Sequence, residues 1–191
     1  MPIPNAERKA TTRRKLIDAA MTTVARHGFH AAGVDAIAAA AGYSVGAIYA
    51  NFGSKDDLFL AVFDDHLAWF ERVVADAPPD LAPLERLLDE RDQLLVFMEF
   101  WGHAVRSPKV KRRFAQRMTR LRGHVADLIR RRAADAGGAI DDETAERLAT
   151  VALALARGMA IERLADRKAV PPGMLAAALS ALLDPGGRAQ D

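Results

Sequence analysis

Cysteine is absent from this chain of 191 residues. Its absence excludes thiol nucleophiles, disulfides, iron–sulfur clusters and zinc sites built on cysteine. Long apolar runs are missing as well, because no stretch approaches the roughly 18 residues that a membrane-spanning helix needs. The segment from Met1 to Thr12 is polar and lacks the apolar centre of a signal peptide. We therefore expect a cytoplasmic protein with no membrane contact.

The balance of charge is nearly even, since 27 basic and 25 acidic residues leave a net charge of +2. Along the chain it is uneven: residues 1–55 hold 7 basic and 3 acidic residues, and residues 106–132 hold 11 and 1. Basic patches are typical of proteins that bind polyanions. Half of the residues are apolar, which predicts a soluble globular protein. At roughly 150 residues per domain, a length of 191 residues predicts one domain or a small module fused to a larger one.

Apolar residues recur at helical spacing along the chain, and no alternating pattern typical of a strand is present. The fold class is therefore predicted to be all-α, with about nine helices. The predicted helix starts include Ser44, the capping box Ser54 to Asp57, Leu84, Ser107-Pro108, Asp141 or Asp142, and Pro171-Pro172. The predicted ends lie near Gly28, Gly42, Gly53, Ala77, Val105, Ala136 and Lys168, and before Pro185-Gly186-Gly187.

Residues 33–55 have the pattern of a helix-turn-helix unit, whose second helix enters the major groove of DNA. Gly42 can adopt the left-handed conformation that ends the first short helix, and Ser44 can cap the second. Ile48 and Phe52 would then be buried. The outer side is small and weakly polar, which permits a close approach to a groove but equally fits an ordinary helical corner. That side carries Val45, Gly46, Ala47, Tyr49, Ala50 and Asn51.

The segment from residue 13 to about residue 62 resembles, without a gap, the N-terminal domain of the TetR family of bacterial repressors. The resemblance rests on Arg14, Leu16-Ile17, Ala19-Ala20, Gly28-Phe29, Val34, Ile37-Ala38, Ala41-Gly42, Ser44, Gly46, Ile48-Tyr49, Phe52, Ser54-Lys55 and Leu58. Members of that family are dimeric, all-helical repressors in which a small molecule bound to the C-terminal domain releases DNA. The resemblance thus implies a DNA-binding domain at 11–71 and a regulatory, ligand-binding and dimerisation domain at 72–187.

The resemblance also implies roles for individual residues on a palindromic double-stranded operator. Residues 45–47 are expected at base edges, Tyr49 and Asn51 against the DNA backbone, and Lys55 on a phosphate at the start of the fourth helix, where unpaired N–H groups favour anions. The basic side chains near the N-terminus would form an arm along the DNA. The expected DNA-binding residues are Gly33, Ser44, Val45, Gly46, Ala47, Tyr49, Asn51, Lys55 and Arg14.

Three positions in two segments depart from the family's usual sequence. Ala32-Gly33 replaces a pair of threonines at the start of the second helix, so a hydroxyl contact to phosphate is lost there. Ala47 replaces another common threonine, which removes a polar group from the expected base contacts. Gly33 can still serve as a helix N-cap.

An enzyme remains the alternative class of function. Residues 42–46 fit the G-x-S-x-G sequence of a hydrolase nucleophile elbow, but an elbow needs a strand before the serine, and residues 36–41 favour a helix. His27 and His30 have no further metal-ligand motif beside them. We expect no catalytic residue, metal or cofactor. The open alternative is a helical small-molecule-binding protein or enzyme without DNA binding.

Aromatic, methionine and histidine side chains follow one another along the predicted fourth to seventh helices. Such residues either fill a core or line an apolar pocket with a few polar groups, here for an unidentified and largely apolar effector. The candidate ligand-binding residues are Phe63, His66, Phe70, Phe97, Trp101, Met118 and His124.

Two surfaces remain open from the sequence. The basic residues of 106–132 predict a solvated face, or one paired with Asp89, Glu90, Asp92 and Glu99, with nucleic acid or an anionic membrane as the alternative partner. Small residues in the last two helices favour a two-fold, four-helix dimer interface, with packing inside one chain as the competing explanation. Those residues are Ala149, Ala152, Ala156, Gly158, Ala160, Ala177, Ala178 and Ala181.

Overall fold

The computed structural model describes residues 5–75 and 81–183. Every regular element among them is helical, which confirms the all-α prediction. The helices are α1 (Asn5–Ala31), α2 (Val34–Ala41), α3 (Val45–Phe52), α4 (Lys55–Ala75), a 3-10 turn (Ala82–Glu85), α5 (Arg86–Asp89), α6 (Arg91–Arg106), α7 (Pro108–Asp135), α8 (Asp142–Ala165) and α9 (Met174–Leu183). Within the described ranges, none of the helices combines the length and apolarity needed to cross a membrane.

The described residues fall into two compact units. The first contains residues 5–66 together with 92–114, so it combines α1 to α3 and most of α4 with α6 and the start of α7. Its core is aromatic: the Phe63 ring stacks 4.8 Å from Phe100 and lies 4.9 Å from Phe114. Leu16 and Ile37 of the same unit are also fully buried. The helices α2 and α3 are too short to be stable alone, so their stability depends on burial in this unit.

The second unit contains residues 67–91 and the described residues from 115 to 183. The side of α8 that packs into it is lined by alanines, which allow neighbouring helices to approach closely. The Glu85 carboxylate accepts the backbone N–H groups of Leu175 and Ala176 at 3.0 and 3.2 Å, which caps the first turn of α9. Arg163 of α8 donates to the Asp89 carboxylate at 3.0 Å.

Most helix ends agree with the sequence. Gly28 has φ 77° and ψ 165°, which breaks α1 at the predicted residue, although a further turn continues to Ala31. Asp141, rather than Asp142, caps α8 by accepting the Thr144 N–H at 2.8 Å. The predicted end near Ala77 and residues 184–191, which follow the last predicted helix, lie outside the described residues.

One helix was predicted wrongly. The sequence indicated a single helix over 84–105, but Glu90 has φ −82° and ψ 69°, outside the helical region, and separates α5 from α6. The two pieces pack in different units, with Leu87 and Leu88 buried in the second and Phe100 in the first. Apolar periodicity continues across the break because each piece buries its own face, so the sequence pattern does not reveal it.

Candidate nucleic-acid interface

The turn between α2 and α3 has the geometry that its sequence predicts. Gly42 is left-handed, with φ 74° and ψ 30°, and its N–H bonds to the Ala39 carbonyl at 3.1 Å. Ser44 is extended, and its Oγ accepts the Ala47 N–H at 3.4 Å as the N-cap of α3. Because α2 and not a strand precedes Ser44, this serine does not have the setting of a hydrolase nucleophile elbow.

Helix α3 presents a distinct outer face. Ile48 is fully buried and Phe52 nearly so, which fixes the inner face. Gly46, Tyr49 and Ala50 are exposed on the opposite side, with 48% of Tyr49 accessible. Val45, Ala47 and Asn51 are partly exposed beside them. The expected reading residues therefore share one accessible helix surface.

The Asn51 side chain lies along α3. Its Nδ2 donates to the Ala47 carbonyl at 2.8 Å. The buried Oδ1 has no hydrogen-bond partner among the described residues. A buried acceptor without a partner costs about 1–3 kcal/mol, so a rotation that carries this amide outward to DNA would lose one bond and relieve one unsatisfied atom. Its contact to the DNA backbone stays a prediction.

Lys55 stands at the first position of α4. The preceding Ser54 caps this helix, with its Oγ accepting the Asp57 N–H at 3.1 Å. The Lys55 ammonium donates to the Phe29 carbonyl at 3.2 Å and lies 5.1 Å from the centre of the Phe29 ring and 5.6 Å from that of Phe59. An ammonium has three N–H donors, so two remain for a phosphate at this helix N-terminus.

Arg14 is engaged within the protein. Its guanidinium forms a bidentate pair with Asp65 and an ion pair with Asp18 at 2.6 Å. The hydrogen bond to Asp65, followed by that to Asp18, raises the pKa of Arg14 above its ordinary value. A phosphate would have to compete with two carboxylates for this side chain, so its expected role in DNA binding stays a prediction.

Arg13, the neighbour of Arg14, extends from the N-terminal arm to α3. Its guanidinium donates to the Asn51 carbonyl at 3.2 Å and stacks 4.4 Å from the centre of the Phe52 ring. A cation at the C-terminal end of a helix is stabilised by the helix dipole. No signal in the sequence favours it over Arg14, because only the tertiary structure brings this turn of α1 to the end of α3.

At the start of α2, Gly33 is an extended N-cap with no side-chain bond. The adjacent Ala32 is fully buried. A threonine at 32 would therefore bury a hydroxyl there, whereas Gly33 is partly exposed and has open space where a Cβ would stand. The departure from the family sequence is compatible with this local packing.

The candidate ligand residues of the first unit form part of its aromatic core. Phe63 has no exposure, and its ring lies 5.8 Å from His66 and 6.1 Å from Phe97. His66 Nδ1 is 2.8 Å from the Gln93 Oε1. Trp101 packs 5.5 Å from Phe97 but remains 42% exposed. Three of these four side chains are buried inside the unit, as the core-filling alternative predicts.

The candidates of the second unit are distributed differently. Phe70 of α4 and His124 of α7 line a cavity of about 200 Å³. His124 Nδ1 lies 2.7 Å from the Glu71 Oε1 at its polar side. Met118 is buried, with 4% exposure, and is not among the lining residues. The remaining lining residues are Val74, Ala75, Leu121, Val125, Asp127, Leu128 and Arg131.

The basic segment is paired in several places, and one of its partners lies outside the set expected from the sequence. Arg113 forms an ion pair with Asp57, which was predicted as part of a capping box and not as a partner of this segment. The Ser54 hydroxyl, and then Arg113, lower the pKa of Asp57. Asp89, expected to pair with this segment, contacts Arg163 and Arg167 of the α8 region. Other members of the segment, such as Lys111, are exposed, which fits a mainly solvated face.

Half of the small residues that the sequence favours for a dimer interface pack inside their own chain. Four of the alanines that were expected on it are buried within the chain's own second unit, at 0–9% exposure: Ala149, Ala152, Ala156 and Ala160. Packing inside one chain is therefore the right explanation for these four. The exposed apolar residues Val151, Ala154 and Ile161, with Gly158 between them, occupy another side of α8. Small residues permit close packing against any neighbour, so the sequence alone does not distinguish the two explanations, and the dimer interface stays a prediction.

We predict opposite stability effects for two glycines of this site. Gly42→Ala should lower the free energy of unfolding by about 1 kcal/mol, because a Cβ is disfavoured in the left-handed conformation. Gly46→Ala lies inside α3 and should raise it by up to about 1 kcal/mol, because alanine favours helix. Urea denaturation followed by circular dichroism measures both. Equal effects from the two substitutions would contradict the turn geometry.

Comparison with known protein families gives two matches on this chain. Residues 16–62 match the sequence model described as bacterial regulatory proteins, tetR family. Residues 81–185 match the model described as BetI-type transcriptional repressor, C-terminal. The first match covers α2, α3 and the turn between them, and the second covers more than half of the chain.

Individual proteins give the same picture. The chain is 34% identical over 74 residues to the fatty acid metabolism regulator protein of Bacillus subtilis, which is 38% of each chain. It thus spans about two fifths of the first curated relatives that it matches. It is 29% identical to the HTH-type transcriptional repressor Rv1474c of Mycobacterium tuberculosis over 69% of this chain and 71% of that one. A solved TetR-family regulator from Rhodococcus superimposes with a TM-score of 0.73 at 21% identity, covering 92% of this chain and 98% of that one, which shows the fold.

Proposed function

This chain belongs to the TetR family of bacterial regulatory proteins, and we propose that it is a DNA-binding transcriptional regulator that acts as a homodimeric repressor. In this proposal the α3 helices of two protomers read the half-sites of a palindromic operator. A small, largely apolar effector bound in the second unit releases the DNA. The boundary between a DNA-binding domain at 11–71 and a regulatory domain at 72–187 is also part of the proposal. The observation that carries it is the outward face of α3, which is fixed by the buried Ile48 and presents Tyr49 to solvent.

The chemistry of this face sets how DNA would be read. Val45 and Ala47 can contact thymine methyl groups, whereas few donors are available for guanine or adenine edges. Much of the affinity would therefore come from phosphate contacts, and binding should depend strongly on salt. Two α3 helices in successive major grooves would lie about 34–36 Å apart. Selection of genomic DNA fragments by the purified protein would reveal the operator and its half-site spacing.

Two substitutions test the assignment on the operator so identified. Lys55→Ala should weaken binding to all DNA sequences alike. It should also lower the slope of log affinity against log salt by about 0.9 per protomer. Tyr49→Ala should cost about 1–3 kcal/mol of operator affinity. Fluorescence anisotropy over a series of salt concentrations measures both. As a control, Ala115→Glu changes an exposed residue of α7 and should keep the wild-type slope. Unchanged affinity in both variants would contradict the DNA-binding site.

For the dimer, we propose the exposed apolar stripe of α8. Val151, Ala154, Gly158 and Ile161 follow one another at three- and four-residue spacing, and 49% of Val151 is accessible. Such a stripe suits an interface in which the same surface of two chains meets. We expect Val151→Glu to halve the mass measured by sedimentation while retaining the circular dichroism of the wild type. A variant that remains dimeric would move the interface elsewhere.

For the effector, we propose the cavity beside Phe70 and His124. A smaller apolar pocket of about 50 Å³ shares its walls at Phe70, Val74, Val125 and Leu128. The combined space fits a compact apolar body with a polar group near the Glu71–His124 pair. A compound that raises the melting temperature and lowers operator affinity should lose both effects in Leu128→Trp, which fills the cavity.

A further inference from the structure

The backbone at Gly28 and Phe29 contains an N–H group that the helix cannot use. Gly28 leaves the helical region, and a new turn begins after it, closed by the Ala32 N–H bonding to the Gly28 carbonyl at 3.1 Å. The Phe29 N–H therefore stands at the start of this turn, where the first N–H groups of a helix need acceptors from outside it. Because Phe29 is only 4% exposed, its N–H cannot depend on water and needs an acceptor within the protein.

Helix α6 supplies that acceptor. The Glu99 Oε2 accepts the Phe29 N–H at 2.7 Å. A Cβ at position 28 would stand only 3.2 Å from the same oxygen, so glycine is needed both for its positive φ and for the close approach of the carboxylate. Glu99 thus caps the turn as an N-cap side chain caps a helix, but from a segment 70 residues away in sequence.

The other groups of Phe29 are held as well. Its ring stacks on the His103 ring, with centroids 3.9 Å apart and an interplanar angle of 22°. The His103 Nε2 in turn lies 3.2 Å from the Asp56 carboxylate. The Phe29 carbonyl accepts the Lys55 ammonium at 3.2 Å. Helix α6 therefore fixes the residue whose carbonyl holds Lys55.

We propose that Glu99 is a positioning residue for DNA binding, which acts through Phe29 to place the Lys55 ammonium for its phosphate contact. The inference rests on the proposed function, because it assumes that Lys55 meets a phosphate. Without the Glu99 acceptor, the peptide after Gly28 loses the bond that fixes its orientation, and the Phe29 carbonyl directs the flexible lysine side chain less strongly. Glu99 lies far from the outer face of α3 in sequence, and it makes its contribution without touching DNA.

Operator affinity and its salt dependence test this role in the full-length protein. Glu99→Ala should weaken operator binding about threefold to tenfold, which corresponds to one lost hydrogen bond. It should also lower the salt slope toward that of Lys55→Ala. Glu99→Gln retains an acceptor oxygen and should keep most of the wild-type operator affinity and salt slope. Glu146→Ala removes an equal charge from an exposed site on α8 and should match the wild type.

The double variant Glu99→Ala/Lys55→Ala separates positioning from a general loss of structure. If Glu99 acts through Lys55, the double variant binds no more weakly than Lys55→Ala alone. Additive losses, or a Glu99→Ala protein with reduced affinity and the full wild-type salt slope, would overturn the inference. If Lys55→Ala itself leaves affinity and slope unchanged, the proposed function is what fails at this residue. Thermal unfolding monitored in parallel identifies a variant whose DNA binding falls only because the fold is lost.

Discussion

Phe63→Ala is expected to lower the free energy of unfolding by about 3–5 kcal/mol, the usual cost of removing a fully buried phenylalanine. The side chain has no exposure and contacts the Phe100 and Phe114 rings from α6 and α7. The neighbours can close only part of the cavity that is left, because they belong to separate helices held by other contacts. Since native domains are typically stable by only about 5–15 kcal/mol, this variant should unfold at markedly lower urea concentration.

Trp101→Ala is the matched control in the same cluster. Trp101 contacts Phe97 and Phe114 but is 42% exposed, so its replacement should cost only about 1 kcal/mol. Urea denaturation with a constant slope for the two variants makes the comparison direct. If Phe63→Ala retained near-wild-type stability and lost only its response to an effector, Phe63 would be a ligand residue, as one of the two sequence-based alternatives holds, and not a core residue.

Ala50→Glu is expected to reduce operator affinity about 100-fold or more while changing the free energy of unfolding by less than about 1 kcal/mol. Ala50 is exposed on the outer face of α3. A carboxylate there would face the phosphates of any duplex that this helix enters, and like charges brought together in an interface cost several kcal/mol. The helix itself tolerates the change, because no packed neighbour must move.

Two controls isolate the electrostatic cause. Ala50→Gln has nearly the same shape without the charge and should bind within about tenfold of the wild type, since it lacks the like-charge term. Ala115→Glu introduces the same charge on an exposed position of α7 and should leave affinity nearly unchanged. Full operator affinity of Ala50→Glu in an anisotropy titration would show that α3 does not lie against DNA. It would contradict the assignment of the outer face of α3 as the DNA-reading surface.

Local signals in the sequence determined the helix-turn-helix unit. Gly42, Ser44 and the buried pair Ile48 and Phe52 could be predicted because capping, left-handed glycine and helical periodicity depend on neighbours within a few residues. The all-α class followed for the same reason. The helix break at Glu90 could not be predicted, because both sides of it keep an apolar face.

Only the tertiary structure decided which of the candidate side chains already bond to partners within the protein. Arg14 and Arg13 are adjacent and identical in type, yet one pairs with Asp65 and the other bonds to the end of α3. Glu99 caps a turn 70 residues away, a partnership that no local pattern records. The sequence determined what each element is, since that depends on short-range backbone chemistry. Long-range packing decided which arginine pairs with a carboxylate and which alanines are buried, because a given side chain can pack or bond against any suitable neighbour.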